Sequence, residues 1–172
     1  MKIIVVYKSK TGFSEQYAKW IQTALNCDII PLNQLKTLEG YDLVIYGAGL
    51  MAGKMNGLKD FKPYIQGQKT IIYATGAISK DATEIVDKIK NDNLSQFGKD
   101  VPFYYFEAGL DYDKLGFFSK KMLKMMYNSL KKKTDKTAEE IGMMEAIAHS
   151  HNYAKESDIL PLIETVKQMK TH

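Results

Sequence analysis

The sequence contains no arginine, so all 24 of its basic residues are lysine. Bidentate contacts to guanine and phosphate are arginine chemistry, and the net charge is only +4, so no nucleic-acid partner is expected. A single cysteine, Cys27, excludes a disulfide framework and a cysteine-rich metal site, and it reads as packing at a strand start. The three histidines, His149, His151 and His172, are too few and too late to make a metal centre, so no metal is assigned. No apolar run approaches the ~20 residues that a membrane span needs. The opening Met1-Lys2-Ile3-Ile4 is too short for a signal peptide, so a cytoplasmic location is expected. No acidic residue follows the first apolar run, where Lys8 and Ser9 stand, and this excludes a phosphoacceptor receiver site. No Ser-His-Asp or Cys-His constellation can be argued from these positions.

What is present is a chain of 172 residues, 45% hydrophobic and 26% charged, which suits one globular domain over residues 1–172. Apolar runs at Ile3–Tyr7, Leu43–Tyr46 and Thr70–Ala74 read as buried parallel strands, Val101–Ala108 reads as another strand, and Cys27–Leu32 with Pro31 as a short strand at or near a sheet edge. Helical spacing separates them. Tyr17, Trp20, Ile21, Ala24 and Leu25 give one face of the first helix, and a last helix runs from about Ser157 to Lys170. Asp81 with Glu84 predicts a capped helix over Ala82–Leu94. Alternating strands and helices imply an α/β, doubly wound parallel sheet, with ligands beyond the carboxyl ends of the strands.

The stretch Ser9-Lys10-Thr11-Gly12-Phe13-Ser14 joins the first strand to the first helix. Backbone N–H groups at a helix start lack intrahelical partners, and the dipole favours an anion there. Ser9, Thr11 and Ser14 add hydroxyl donors, and Gly12 allows close backbone approach. The turn resembles the Thr/Ser-x-Thr-Gly-x-Thr fingerprint of the flavodoxin-like family, matched by Ser9, Thr11, Gly12 and Ser14, with Lys10 and Phe13 at the variable positions. The resemblance implies a five-stranded parallel sheet of order 2-1-3-4-5 and FMN as cofactor, its phosphate in this turn.

The glycine-rich run Gly47–Gly53 lacks the spacing of a Walker A loop or a dinucleotide fingerprint, and it reads as a loop at a strand's carboxyl end. By the same resemblance Gly49, Leu50, Met51, Ala52 and Gly53 face the flavin ring, and Thr75, Gly76 and Ala77, with Ile78, face its other side or edge. Electron-shuttling relatives usually sandwich the ring between aromatic side chains. Neither stretch here carries one, although Met51 could offer sulfur and Phe13 could reach across. An open ring face suits an enzyme better than a shuttle. Lys10, Lys54 and Lys80 lie in or beside these stretches, and positive charge near a flavin favours two-electron reduction.

Residues 110–154 exceed what a minimal five-stranded fold needs between its last strand and last helix, and they are expected to form a helical insertion. Phe118, Met122, Met125 and Met126 line one side of a helix there, and Lys120, Lys124 and Lys131 another. A second helix is expected from Thr137, with Glu140 closing a capping box. A basic amphipathic helix over 116–133 suits peripheral contact with an anionic membrane or a flat apolar partner. The arrangement resembles the flavodoxin-domain branch that contains menaquinone-dependent protoporphyrinogen oxidase. That likeness implies an FMN-dependent oxidoreductase moving two electrons between an organic donor and a quinone-like acceptor. The alternatives are an electron carrier that docks on protein redox partners and a cofactor-free interaction module.

Overall fold

A computed structural model describes residues 1–95, 97 and 101–171, so His172 lies outside the described residues. Five strands, β1 (Ile3–Lys8), β2 (Asp28–Pro31), β3 (Leu43–Met51), β5 (Lys69–Gly76) and β6 (Phe103–Glu107), form a parallel sheet in the order β2-β1-β3-β5-β6. Counting only these five, the order is the expected 2-1-3-4-5. The two-residue strand β4 (Lys54–Met55) pairs antiparallel with the end of β3.

The apolar runs are unbroken because both sheet faces are covered. Ile3 and Val5 of β1 join Tyr17, Ile21, Leu43, Ile45, Tyr73 and Leu162 on one face. Ile4 and Val6 point the other way, to Val44, Tyr46, Phe61, Ile72 and Leu94. Helices α1 (Phe13–Leu25) and α6 (Leu160–Lys170) cover the first face. The short α2 (Leu58–Phe61) and α3 (Thr83–Leu94) cover the second. In α1 the buried side chains are Ser14, Tyr17, Ala18 and Ile21, while Ala24 faces out. Tyr17 ties three elements together: its hydroxyl donates to the Glu107 carbonyl (2.6 Å), lies 3.3 Å from an Asp158 carboxylate oxygen, and accepts from the Lys155 N–H (3.3 Å). Cys27 is half-buried, and burial pushes its thiol up to about 11, which suits packing and not reactivity.

Two sequence expectations are corrected here. Gly47–Met51 is not loop but the second half of β3, because Gly47, Ala48 and Gly49 pair in register with Tyr73, Ala74 and Thr75. Asp81 does not cap α3. Ala82 occupies the cap position with no side-chain cap, and Asp81 uses its backbone carbonyl to accept from the Thr83 N–H.

The insertion leaves the sheet through β7 (Gly109–Leu110) and returns through β8 (His151–Asn152), which pair antiparallel and close its base. Between them lie α4 (Phe117–Lys132) and α5 (Ala138–Ala146), and α5 carries the expected Thr137–Glu140 capping box. Among the described residues no helix is long and apolar enough to cross a membrane.

Candidate functional site

Three segments expected to share a ligand come together at the carboxyl ends of β1, β3 and β5. In the first, Gly12 takes φ +95° at the start of α1, and no side chain caps the helix. Its N–H donates to Ser9 Oγ (3.1 Å) and its carbonyl accepts from the Gln16 N–H (2.9 Å), so the turn is already shaped. The first-turn N–H groups of α1 have no partner within the helix and point out at the end that favours an anion. Glu15 opposes an anion there, but its carboxylate is paired with Lys19 at 2.6 Å. Thr11 is half-buried, and Lys10 is exposed with its Nζ 3.9 Å from Met51 Sδ.

Ser14 has a different position from Ser9 and Thr11. It is 2% exposed, and its hydroxyl shares a hydrogen bond of 2.7 Å with Thr75 Oγ1, itself 3% exposed. The pair clamps α1 to β5. Gly49 of β3 lies beside it, since a Cβ there would sit 3.4 Å from Ser14 Oγ and 3.7 Å from Thr75 Oγ1. Leu50 leans on Gly76, where a Cβ would lie 3.3 Å from Leu50 Cδ1. Residues of all three segments are thus neighbours. Phe13 is half-buried and packs against the core on the α1 face.

The β3–β4 connection is a tight hairpin. Ala52 and Gly53, with φ +48° and +74°, turn the chain between the paired Met51 and Lys54, as in the primed turns that match strand twist. Two asparagines fix it. Asn56 donates from Nδ2 to the Gly49 carbonyl (2.7 Å), and buried Asn93 accepts from the Met55 N–H (2.9 Å) and donates to the Gly53 carbonyl (2.8 Å). Neither residue stands out in the sequence, because Asn93 reads as one polar position on a helix and its hairpin partners lie about forty residues away.

Lys54 Nζ donates to the Asp92 carbonyl (3.0 Å) at the end of α3, and Lys80 is paired with Asp158 at 2.7 Å. That bond holds the Lys80 ammonium above its ordinary range. A cation the sequence did not single out stands at the first turn: Lys114 Nζ lies 4.0 Å from the position a Cβ would have on Gly12. Asp111 organises it, pairing with Nζ at 3.0 Å while its other carboxylate oxygen accepts from the backbone N–H groups of Asp113 (3.1 Å) and Lys114 (3.3 Å). The same bonds hold the Asp111 carboxyl below its ordinary range.

Beyond Ala77 and Ile78 a cleft of about 810 Å³ opens between the start of α3 and the insertion, walled by Ile85, Glu107, Met143 and Tyr153 among others. His151 also lines it; its Nδ1 faces the His149 carbonyl at 3.1 Å, and its Nε2 is buried without a partner. Among the described residues no group of three or more His, Cys, Asp or Glu is placed to hold a metal ion.

A family model described as flavodoxin domain matches residues 4–137, well over half of the chain. The chain belongs to the flavodoxin domain family. Membership supports a flavin-dependent redox role. Solved structures with partial likeness include a flavodoxin from the domain Archaea, at 18% identity over 87% of this chain and 100% of that one, with a TM-score of 0.45. A flavoprotein in complex with FMN from Lactobacillus acidophilus overlaps 60% of this chain and 91% of its own, at 14% identity and TM-score 0.41. Rubredoxin oxygen:oxidoreductase from Desulfovibrio gigas overlaps 86% of this chain and 36% of its own, at 13% identity and TM-score 0.43. No curated protein matches the chain. The family match carries the assignment, and nothing in these comparisons supports the protoporphyrinogen oxidase branch.

Proposed function

We propose that this flavodoxin-domain protein binds FMN and passes two electrons between an organic donor and a quinone-like acceptor. The residues fit the cofactor. The open first turn of α1, shaped by Gly12 and Ser9, suits a dianionic phosphate, with Thr11 and Lys10 at its rim. Gly49–Gly53, with Gly76 and Ala77 at the end of the Thr75–Ala77 segment, would border the ring, and the Met51 sulfur lies 3.9 Å from Lys10 Nζ. When bound, FMN would supply the electron-accepting chemistry; the protein's part is to seat the phosphate and shape access to the ring. Ser14 and Thr75 act one layer below, locking α1 against β5 so that the anion site and the ring segment keep one spacing.

The observation that favours an enzyme over a carrier is the cleft of about 810 Å³. It shares Ala77 and Ile78 with the ring segment, its size suits a small organic molecule, and no aromatic side chain in Gly49–Gly53 or Thr75–Ile78 covers a ring face. Titrating the purified protein with FMN while recording the visible spectrum, then reducing it stepwise, tests the reading. Saturable binding followed by a single two-electron step is expected. Two separated one-electron steps would instead support a carrier, and a protein that takes up no FMN would return the cofactor-free interaction module.

Lys114 adds a charge to the phosphate site. Lys114→Gln is expected to weaken FMN binding about threefold to tenfold, a modest effect because its side chain is 63% exposed and screened. Riboflavin, which lacks the phosphate, should bind both proteins equally. The salt dependence of FMN binding should flatten in the variant. Equal FMN affinities at low salt would remove Lys114 from the site.

A further inference from the structure

Helix α4 carries two apolar stripes, and the fold covers only one of them. Leu123, Met126, Tyr127 and Leu130 are half-buried, and α5 is the helix against which α4 packs. Met126 therefore belongs with the inward side chains and not with the outer stripe. Phe118, Met122 and Met125, spaced i, i+4 and i+7 and so stacked on one face, are 84%, 40% and 64% exposed. Phe117, at the helix start, is 75% exposed and meets only the edge of Phe118 among the described aromatic rings. The helix also holds Lys120, Lys121, Lys124, Lys131 and Lys132 and no acidic residue.

We propose that α4 docks the protein on an anionic lipid surface, lying in the plane of the interface with Phe117, Phe118, Met122 and Met125 in the headgroup–acyl boundary. Three observations choose lipid over a protein partner. The exposed rings project from a single helix and line none of the described clefts; a fluid bilayer accepts such projections, whereas a protein would need a matching hollow. Lys121 stands three residues after Phe118 and four before Met125, so a cation borders the apolar stripe and can reach the headgroups while its stem stays against the lipid. The one-signed charge of the helix complements anionic headgroups along its whole length of about 24 Å. The proposal does not depend on FMN. It would set the carboxyl ends of the strands beside the membrane, because Lys114, over the Gly12 turn, precedes α4 by only two residues.

Co-sedimentation of the full chain with vesicles tests it. Vesicles of phosphatidylcholine with about one-third phosphatidylglycerol should bind at least tenfold more tightly than pure phosphatidylcholine, and high salt should release the protein. Phe118→Ser with Met125→Ser, and separately Lys121→Gln with Lys124→Gln and Lys131→Gln, should each cost about tenfold without altering the thermal melt, since these side chains are exposed. Phe118→Trp gives a readout that needs no loss of function: its emission should move to the blue with anionic vesicles only, above a constant background from half-buried Trp20. Equal binding to both vesicle types, an unmoved emission, or binding that survives both sets of variants would overturn the proposal. So would concentration-dependent dimerisation abolished by the Phe118→Ser pair, or capture by an acidic protein with no vesicle binding.

Discussion

Gly47→Ala is expected to leave little folded protein. Gly47 lies in the middle of β3, directly opposite Tyr73 of β5. A Cβ at that position would stand 1.7 Å from Tyr73 Cζ and 2.2 Å from its hydroxyl oxygen, so the ring occupies the space a side chain would need. Tyr73 has nowhere to go. It is fully buried, it tilts against Phe106 with ring centroids 5.2 Å apart, and its hydroxyl donates to the Ser14 carbonyl at 2.9 Å. Burial also keeps that phenol well above its ordinary ionisation range, so it remains a neutral donor. Swinging the ring aside would strand a buried hydroxyl, at about 1–3 kcal/mol, and overpack a filled core, at about another 1–3 kcal/mol. Together these come to about 2–6 kcal/mol, enough to unfold a domain whose stability lies at the low end of the usual range of about 5–15 kcal/mol. Urea unfolding or soluble yield would measure the loss. Adding Tyr73→Ala to the same chain should cost less than the two single substitutions summed, because it empties the contested space. A Gly47→Ala protein that unfolds within about 1 kcal/mol of the parent would mean that the ring is placed elsewhere.

Gly12→Ala is expected to separate binding from stability. The backbone there takes φ +95°, a left-handed conformation that costs a side chain about 1–2 kcal/mol. If the backbone instead relaxes toward negative φ, the first N–H groups of α1 turn away from their common focus. FMN affinity should then fall by about a hundredfold, while unfolding free energy drops only about 1–2 kcal/mol. Gly67→Ala supplies the control. Gly67 has φ +97°, lies just before β5 at the opposite end of the strands, and has open space where a Cβ would go. It should show the same loss of stability with unchanged FMN affinity. Unchanged FMN binding in Gly12→Ala would move the phosphate away from this turn, and a similar loss in Gly67→Ala would make the effect one of general stability.

These two glycines illustrate how unevenly a sequence exposes its own site. Gly12 is legible because its neighbours are local: a strand, three hydroxyls and a helix start all lie within a few residues. Gly47 is not. Its requirement comes from Tyr73, which the parallel register brings opposite it from another strand. The same is true of Asn93 and Lys114, whose partners lie far along the chain. Lys54 and Lys80 show how distant partners enter as well. Proximity in sequence to the site segments suggested charge near the ring, and yet each lysine is engaged by a distant group, the Asp92 carbonyl and the Asp158 carboxylate.

Taken alone, the sequence determined the parallel sheet with its two covered faces, the tight turn at residues 9–14 that opens α1, the capped start of α5 and the amphipathic helix α4. Each of these follows from the spacing of side chains within one turn, one strand or one helix, where chain connectivity already fixes the neighbours. Tertiary structure decided the rest: that Ser14 clamps Thr75 instead of facing outward, that Phe13 packs against the core, that β3 continues through its glycines, and that a lysine of the insertion stands over the Gly12 turn. Those outcomes depend on strand register and on which surfaces meet, and both are set by the packing of the whole core.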